Sequence, residues 1–197
     1  MSKAKLVGSM LSTNWRLNAK PCPRVEKEKA DIRKVPYASV VGSLIYAMVY
    51  TKPDIEFVVG AVRYMSNPRR EHYAVVKWIL NYLKGTSRVC LRYGVGKPML
   101  EGFTDSDMSG DVDSNRSTSR YVMIYAGGAV SWQPRLQKSV ALSTTEAEYM
   151  AAVEADKELI WMRNFLSELG MKQREFLLHC DSQSVIHLVE NAIYHSR

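Results

Sequence analysis

Apolar residues recur every three or four positions through three stretches in the first half of the chain, which predicts three helices. The first begins at Pro36 and stops at the Thr51-Lys52-Pro53 interruption; the second covers 54–65 and the third 71–84, with Gly85 as its C-terminal stop. Residues 1–35 are polar, basic and broken by two prolines, and are interpreted as a linker or tail. A small helical unit is therefore expected at 36–95.

The hydrophobic period shortens to two in the second half, which predicts strands. Runs rich in β-branched and aromatic residues at 100–104, 121–125 and 129–132 predict an antiparallel meander, with Gly127 and Gly128 in its last turn. A helical pattern at 143–169, a strand pattern at 176–180 and a helical pattern at 182–189 follow. This order predicts an α/β domain with a mixed sheet at 98–197.

Two acidic residues stand at the ends of predicted strands. Asp105 follows the first strand, where alternation puts it on the same face as Phe103. Because that face is expected to bury Phe103, Asp105 is expected at the rim of the core. Asp181 follows the strand at 176–180. Local roles stay open for both, since Asp105 could form a turn and Asp181 could cap the next helix.

Two glutamates near the start of the long helix differ in orientation. Ser143 and Glu146 match a capping box, so Glu146 is predicted to cap the helix and face solvent. Glu148 lies within about 60° of the apolar stripe, from which Glu146 points roughly 160° away. The stripe comprises Ala151, Ala155, Leu159, Met162, Leu166 and Leu169. A second stripe, at Tyr149, Val153 and Ile160, makes this geometry less decisive. Convergence of Asp105, Glu148 and Asp181 would form a divalent-metal site.

The two halves of the chain differ in charge more than the net charge of +7 suggests. Residues 1–98 contain 18 Lys and Arg against 6 Asp and Glu, whereas residues 99–197 contain 9 against 14. The basic residues Arg69, Arg70, Lys77 and Lys84 lie among aromatic side chains in the helical unit. This mixture suits weak binding of nucleic acid, although charged residues are often a solvated surface and aromatics at helical spacing are often core.

Several other classes of protein are disfavoured. The chain has neither an apolar run of about 18 residues nor a signal-peptide pattern, so an intracellular, cytoplasmic protein without a membrane partner is expected. Cys22, Cys90 and Cys180 lack metal-ligand spacing and are expected to be reduced and structural. Residues 105–110 copy the opening of a calcium-binding loop, but its twelfth position is Arg116 rather than Glu. No small-molecule cofactor is predicted.

Seven blocks of the sequence resemble, in order and at similar spacing, the C-terminal part of the Pol polyprotein of copia-type LTR retrotransposons. They are 41–46 (VGSLIY), 51–55 (TKPDI), 76–86 (VKWILNYLKGT), 103–107 (FTDSD), 129–132 (AVSW), 142–152 (LSTTEAEYMAA) and 180–184 (CDSQS). The resemblance spans roughly residue 17 to the end. It implies that residues up to about 95 are the tail of a reverse transcriptase, and that residues from about 98 are an RNase H domain. The remainder of the Pol polyprotein and an RNA/DNA hybrid are the implied partners.

The resemblance also implies a metal site. In that family a strand-borne Asp, a helix-borne Glu and a second strand-end Asp bind two Mg²⁺, and these positions match Asp105, Glu148 and Asp181. Two Mg²⁺ about 4 Å apart can stabilise both the attacking and the leaving oxygen when a phosphodiester is hydrolysed. The order Asp, Glu, Asp resembles RNase H more than the related integrases. Contacts to the 2′ hydroxyl would select RNA.

Some positions depart from the family pattern. Met108 and Arg120 stand where the family usually has Trp and Gly. Relatives continue beyond Arg197 into a last strand and helix with a fourth acidic ligand, so the domain is expected to lack them, as in a truncated element copy. Cleavage by this chain is then expected to be weak or undetectable.

Two functions stay open. One is a Mg²⁺-dependent ribonuclease that acts on the RNA strand of a hybrid, in the cytoplasm or in a virus-like particle. The other is a catalytically inactive remnant that at most binds nucleic acid.

Overall fold

The structure is a computed structural model that describes residues 36–63, 68, 70–111 and 114–191. The predicted linker or tail at 1–35 lies outside this part of the chain. The chain forms two compact units that divide between Cys90 and Leu91, here called the helical unit and the sheet unit. Residues 93–96 belong to the sheet unit. Within it, the Gly94 amide donates to the Ala126 carbonyl at 2.9 Å.

The helical unit consists of α1 (Tyr37–Tyr50), a short 3-10 helix (Pro53–Ile55), α2 (Glu56–Arg63) and α3 (Arg70–Gly85). Its core contains apolar residues of all three α-helices. Tyr82 is buried, stacks on Trp78 and donates a hydrogen bond to Asp54 at 2.7 Å. These two aromatics therefore belong to the core rather than to a nucleic-acid surface. Gly85 is the last residue of α3 instead of lying beyond it.

The sheet unit contains β1 (Leu100–Asp107), β2 (Thr118–Tyr125), β3 (Gly128–Leu136), α4 (Thr144–Glu168), β4 (Phe176–Cys180) and α5 (Gln183–Glu190). The strand order is β3-β2-β1-β4, with β4 parallel to β1 and the other neighbours antiparallel. This confirms the predicted α/β class with a mixed sheet and is consistent with an RNase H-like fold.

The antiparallel strands are longer than their hydrophobic patterns predicted. The β1 strand continues through Asp107, which lies opposite Thr118 at the start of β2. In the added segment Asp105 pairs with Arg120 and Ser106 with Ser119. Hydrophobic alternation could not show this extension, because the paired residues are polar.

Helix α4 packs on one face of the sheet. The shared core joins Leu100 of β1 and Met123 of β2 to the buried residues Ala155, Leu159, Met162 and Leu166 of α4. Gly102 leaves room for its neighbours, since a Cβ there would lie 2.9 Å from the Met123 sulfur and 3.0 Å from Leu178 Cδ1 and would push these side chains aside. Leu169, predicted as the end of the apolar stripe, is 56% exposed at the helix C-cap.

The prediction that Phe103 is buried is wrong. Leu100, Gly102 and Thr104 form the buried face of β1, whereas Phe103 is 41% exposed and stacks on the ring of His179 with centroids 4.5 Å apart. Alternation still puts Asp105 on the face of Phe103, as predicted. That face is opposite the one covered by α4, so Asp105 is exposed rather than at the rim of this core.

Cys90 and Cys180 are free thiols, whereas Cys22 lies outside the described residues. Among the helices that the structure describes, none combines the length and the apolar character that crossing a bilayer requires.

Candidate metal centre

The first turn of α4 fixes where Glu148 points. Ser143 is the N-cap, and its hydroxyl accepts from the Glu146 amide at 3.1 Å. The Glu146 carboxylate accepts from the Leu142 amide at 2.7 Å, and this side chain is exposed. Glu146 therefore caps the helix and faces solvent, as predicted, although its carboxylate contacts the amide one residue before the capping-box position. Two residues further along, Glu148 faces the sheet.

Glu148 is half-buried and has two unlike oxygens. Its Oε1 accepts from the Ser106 backbone amide at 3.3 Å, which ties α4 to the end of β1. Its Oε2 is buried and has no hydrogen-bond partner among the described residues. Burial raises the pKa of Glu148, hydrogen bonding to Ser106 opposes this, and the charges of Asp105 and Asp181 raise it further. A buried oxygen without a donor suits a bound cation, since an unpaired carboxylate oxygen is costly to desolvate.

Asp181 and Cys180 reach Glu148 through the parallel pairing of β4 with β1. Ligand atoms of Glu148, Cys180 and Asp181 all lie within 4.8 Å of one another, a set that we call the three-residue cluster. Asp181 is exposed, and the N-cap of α5 is Ser182, so the capping role considered for Asp181 is not what the structure shows.

Cys180 is the member of the cluster that sequence reasoning missed. Its position directly before Asp181, at the last residue of β4, was the signal that could have identified it. Burial raises the pKa of the Cys180 thiol, and the charges of Glu148, Asp181 and Asp105 raise it further.

Asp105 lies beside this cluster rather than in it. The charge of Asp105 contributes to the raised pKa of Glu148 and of Cys180, but the ligand atoms that lie within 4.8 Å of one another do not include an oxygen of Asp105. Its Oδ2 instead pairs with an Arg120 guanidinium nitrogen at 3.2 Å, and Asp107 Oδ2 pairs with the same guanidinium at 3.4 Å. Asp105 is thus a paired strand residue, not a turn former. The structure brings Glu148 and Asp181 together and leaves Asp105 at the edge.

The donor atoms fit a divalent cation. Mg²⁺ and Mn²⁺ prefer carboxylate oxygens, which Glu148 and Asp181 provide within mutual reach. The Oε2 atom of Glu148 has no hydrogen-bond partner among the described residues. Cys180 adds a softer sulfur atom that Mg²⁺ does not favour. The arrangement can hold a cation at the end of β4, the outer strand of the described sheet, where Asp181 is exposed.

The structure describes the side chains of two of the four basic residues that are predicted to contact nucleic acid. Lys77 and Lys84 are exposed on α3. Arg69 and the side chain of Arg70 lie outside the described residues.

Comparison with known proteins identifies relatives, although no protein-family model and no solved structure matches the chain. It is 52% identical to the retrovirus-related Pol polyprotein from transposon TNT 1-94 of Nicotiana tabacum, in an alignment of 198 positions that covers the whole chain. It is 31% identical over 209 residues to the corresponding polyprotein from transposon RE2 of Arabidopsis thaliana. The chain spans 15% and 14% of these two relatives.

A shorter relative, the secreted RxLR effector protein 161 of Plasmopara viticola, is 43% identical over 133 residues, which are 66% of this chain and 94% of that protein. The matches to transposon polyproteins cover the chain completely and agree with the seven sequence blocks. The chain therefore belongs to the retrovirus-related Pol polyproteins of copia-type transposons.

Proposed function

We propose that the sheet unit is an RNase H domain that hydrolyses the RNA strand of RNA/DNA hybrids with Mg²⁺ held by Asp105, Glu148 and Asp181. The observation that carries this proposal is the buried Oε2 of Glu148, which lacks a hydrogen-bond partner among the described residues, on a carboxylate that lies within reach of Asp181. A carboxylate oxygen is seldom buried in this way unless it binds a cation or a proton.

Each carboxylate has a distinct part in this proposal. Glu148 is oriented by the Ser106 amide at Oε1, which leaves Oε2 for the cation. Asp181 is exposed on the open side, where a phosphodiester backbone can approach. Asp105 lies at the end of the central strand β1, and its charge already acts on Glu148. When bound, Mg²⁺ supplies charge stabilisation for phosphodiester hydrolysis.

The same proposal assigns the helical unit to the tail of a reverse transcriptase, acting in the cytoplasm. Lys77 and Lys84 are exposed on α3, and together with Arg69 and Arg70 they would hold the phosphate backbone of the hybrid. Such contacts are electrostatic and independent of sequence.

A cleavage assay on a labelled RNA/DNA hybrid tests the proposal. Cleavage of the RNA strand by the full chain, which is expected to be weak, should occur with Mg²⁺ and not with EDTA. Asp105→Asn, Glu148→Gln and Asp181→Asn should each reduce its rate by about 10²-fold or more. Glu146→Gln is the matched control, because it removes the same charge from the same helix turn at an exposed cap. It should keep the rate of the unchanged chain.

Two results would contradict the proposal. Cleavage that survives all three substitutions would come from another site or from a contaminating nuclease. Salt-sensitive binding of the hybrid without any cleavage would favour the alternative, a catalytically inactive protein that binds nucleic acid.

A further inference from the structure

We propose that Arg120 competes with the metal ion for the carboxylate of Asp105. Its guanidinium pairs with Asp105 and Asp107 and lowers the affinity of the site for divalent cations. The inference rests on the proposed function, since it concerns the same site. It assigns control of metal affinity to a residue that contributes no metal ligand.

Strand geometry explains why one guanidinium meets two carboxylates. Arg120 of β2 is the register partner of Asp105 in the antiparallel pair with β1. Asp107 follows two residues later on β1 and so projects from the same face. The guanidinium reaches both, with nitrogen to oxygen distances of 3.2 Å and 3.4 Å. Directly opposed residues of opposite charge stabilise such a pair of strands.

The burial of Arg120 strengthens its effect. Its side chain is 22% exposed, whereas the side chains of Asp105 and Asp107 are 57% and 45% exposed. A partly buried cation is screened by salt less than an exposed one. The positive charge is thus fixed next to the carboxylates on the side where the sheet meets solvent.

The ion pair also accounts for the position of Asp105 outside the three-residue cluster. Its Oδ2 is turned to Arg120, while Glu148, Cys180 and Asp181 have ligand atoms within 4.8 Å of one another. A divalent cation that used Asp105 would have to share this carboxylate with Arg120 or displace it. Like charges repel, so either route weakens binding of the metal.

Removal of the guanidinium charge should tighten binding. Exposed and half-exposed ion pairs are individually weak, so we expect the dissociation constant for the metal to fall roughly 3- to 10-fold in Arg120→Gln. A role for Arg120 limited to pairing β1 with β2 predicts a different result. In that case the substitution would lower the thermal stability without changing the metal affinity.

The test measures binding of Mn²⁺, used alone as the probe, by electron paramagnetic resonance of the free ion with the full chain. Arg135→Gln is the matched control: Arg135 is on the neighbouring strand β3 and pairs with Glu154 at 3.3 Å, with a similar loss of one charge. It should leave the dissociation constant within about twofold. Asp105→Asn combined with Arg120→Gln should cancel most of the gain, because the released ligand is then missing. Arg120→Thr, whose side chain suits a strand, repeats the measurement if the glutamine variant unfolds.

The outcomes separate this inference from the proposed function. Tighter Mn²⁺ binding in Arg120→Gln, lost in the double variant, supports both. Equal affinity in the unchanged chain and in Arg120→Gln overturns the role of Arg120 and leaves the metal centre standing. Absence of Mn²⁺ binding from every variant overturns the metal centre and with it the inference. A gain that persists with Asp105→Asn also overturns it, since Arg120 would then act elsewhere.

Discussion

Glu148→Gln should stabilise the protein in the absence of metal and remove its stabilisation by metal. In the metal-free state the carboxylate is half-buried, its Oε2 lacks a hydrogen-bond partner among the described residues, and two other carboxylates raise its pKa. The substitution keeps the size of the side chain and the acceptor that meets the Ser106 amide. It removes the charge and puts an amide NH2 group in place of Oε2.

The magnitude follows from the cost of burying an unpaired polar group, about 1–3 kcal/mol. Glutamine still buries a polar atom at the same place, so we take the lower end, a gain of about 1 kcal/mol in the free energy of unfolding. For a domain of about 100 residues this raises Tm by roughly 4 °C. With metal the sign reverses, because a ligand at 100 times its Kd stabilises the unchanged protein by about 2.7 kcal/mol.

The pH dependence follows from the direction of the pKa shift. Because the folded-state pKa of Glu148 is raised, its carboxyl is neutral in both states below the ordinary glutamate pKa, and the two proteins should then be equally stable. As pH rises through the folded-state pKa, the unchanged protein loses stability relative to the variant. The advantage of Glu148→Gln should therefore be absent near about pH 4 and complete near about pH 7.

Differential scanning calorimetry of the full chain with EDTA and with excess Mg²⁺ measures these differences. Glu146→Gln is the control. The exposed Glu146 carboxylate caps α4, so this variant should be less stable than the unchanged chain both with EDTA and with Mg²⁺. The reasoning fails if Glu148→Gln is no more stable than the unchanged chain at about pH 7 in EDTA, or if its advantage persists at about pH 4.

Three further predictions concern the cap, the core and the basic residues. Ser143→Ala removes the acceptor at the start of α4 and should cost about 0.5–2 kcal/mol in urea unfolding, while a smaller change would contradict the capping role. Leu159→Ala should cost about 2–5 kcal/mol because Leu159 is 1% exposed, whereas Ile160→Ala, at 38% exposed, should cost clearly less in the same measurement. Lys77 and Lys84 are exposed, and replacing both by Gln should weaken the salt dependence of hybrid binding. In fluorescence anisotropy titrations, the slope of log affinity against log salt concentration should become less steep by about 1 to 2. An unchanged slope would exclude these phosphate contacts.

Local patterns in the sequence were sufficient for most of the elements and for the orientation of Glu148. The capping pattern at Ser143 and Glu146 and the 3.6-residue period of α4 depend on near neighbours, and both agree with the structure. Period-two runs located all four strands, with their ends displaced where β1 and β2 continue through polar pairs. The expected lack of a fourth acidic ligand is not tested by the described residues and stays a prediction.

The face of β1 could not be deduced from its own residues. Phe103 is more apolar than Gly102 or Thr104, so the alternation favoured burial of Phe103. Packing decided otherwise, because α4 covers the face of Leu100, where Met123 and Leu178 fill the space left by Gly102. A glycine contributes nothing to a hydrophobic pattern, yet here Gly102 lies on the buried face of β1.

The sequence by itself determined the α/β class, the capped helix and the inward direction of Glu148, because these follow from the spacing of residues within one element. Only the tertiary structure decided which carboxylates meet. Parallel pairing of β4 with β1 brought Cys180 and Asp181 to Glu148, and antiparallel pairing of β2 brought Arg120 to Asp105. The register of strands joins residues that are far apart in the chain, and a shift of one position would send every side chain to the other face of the sheet.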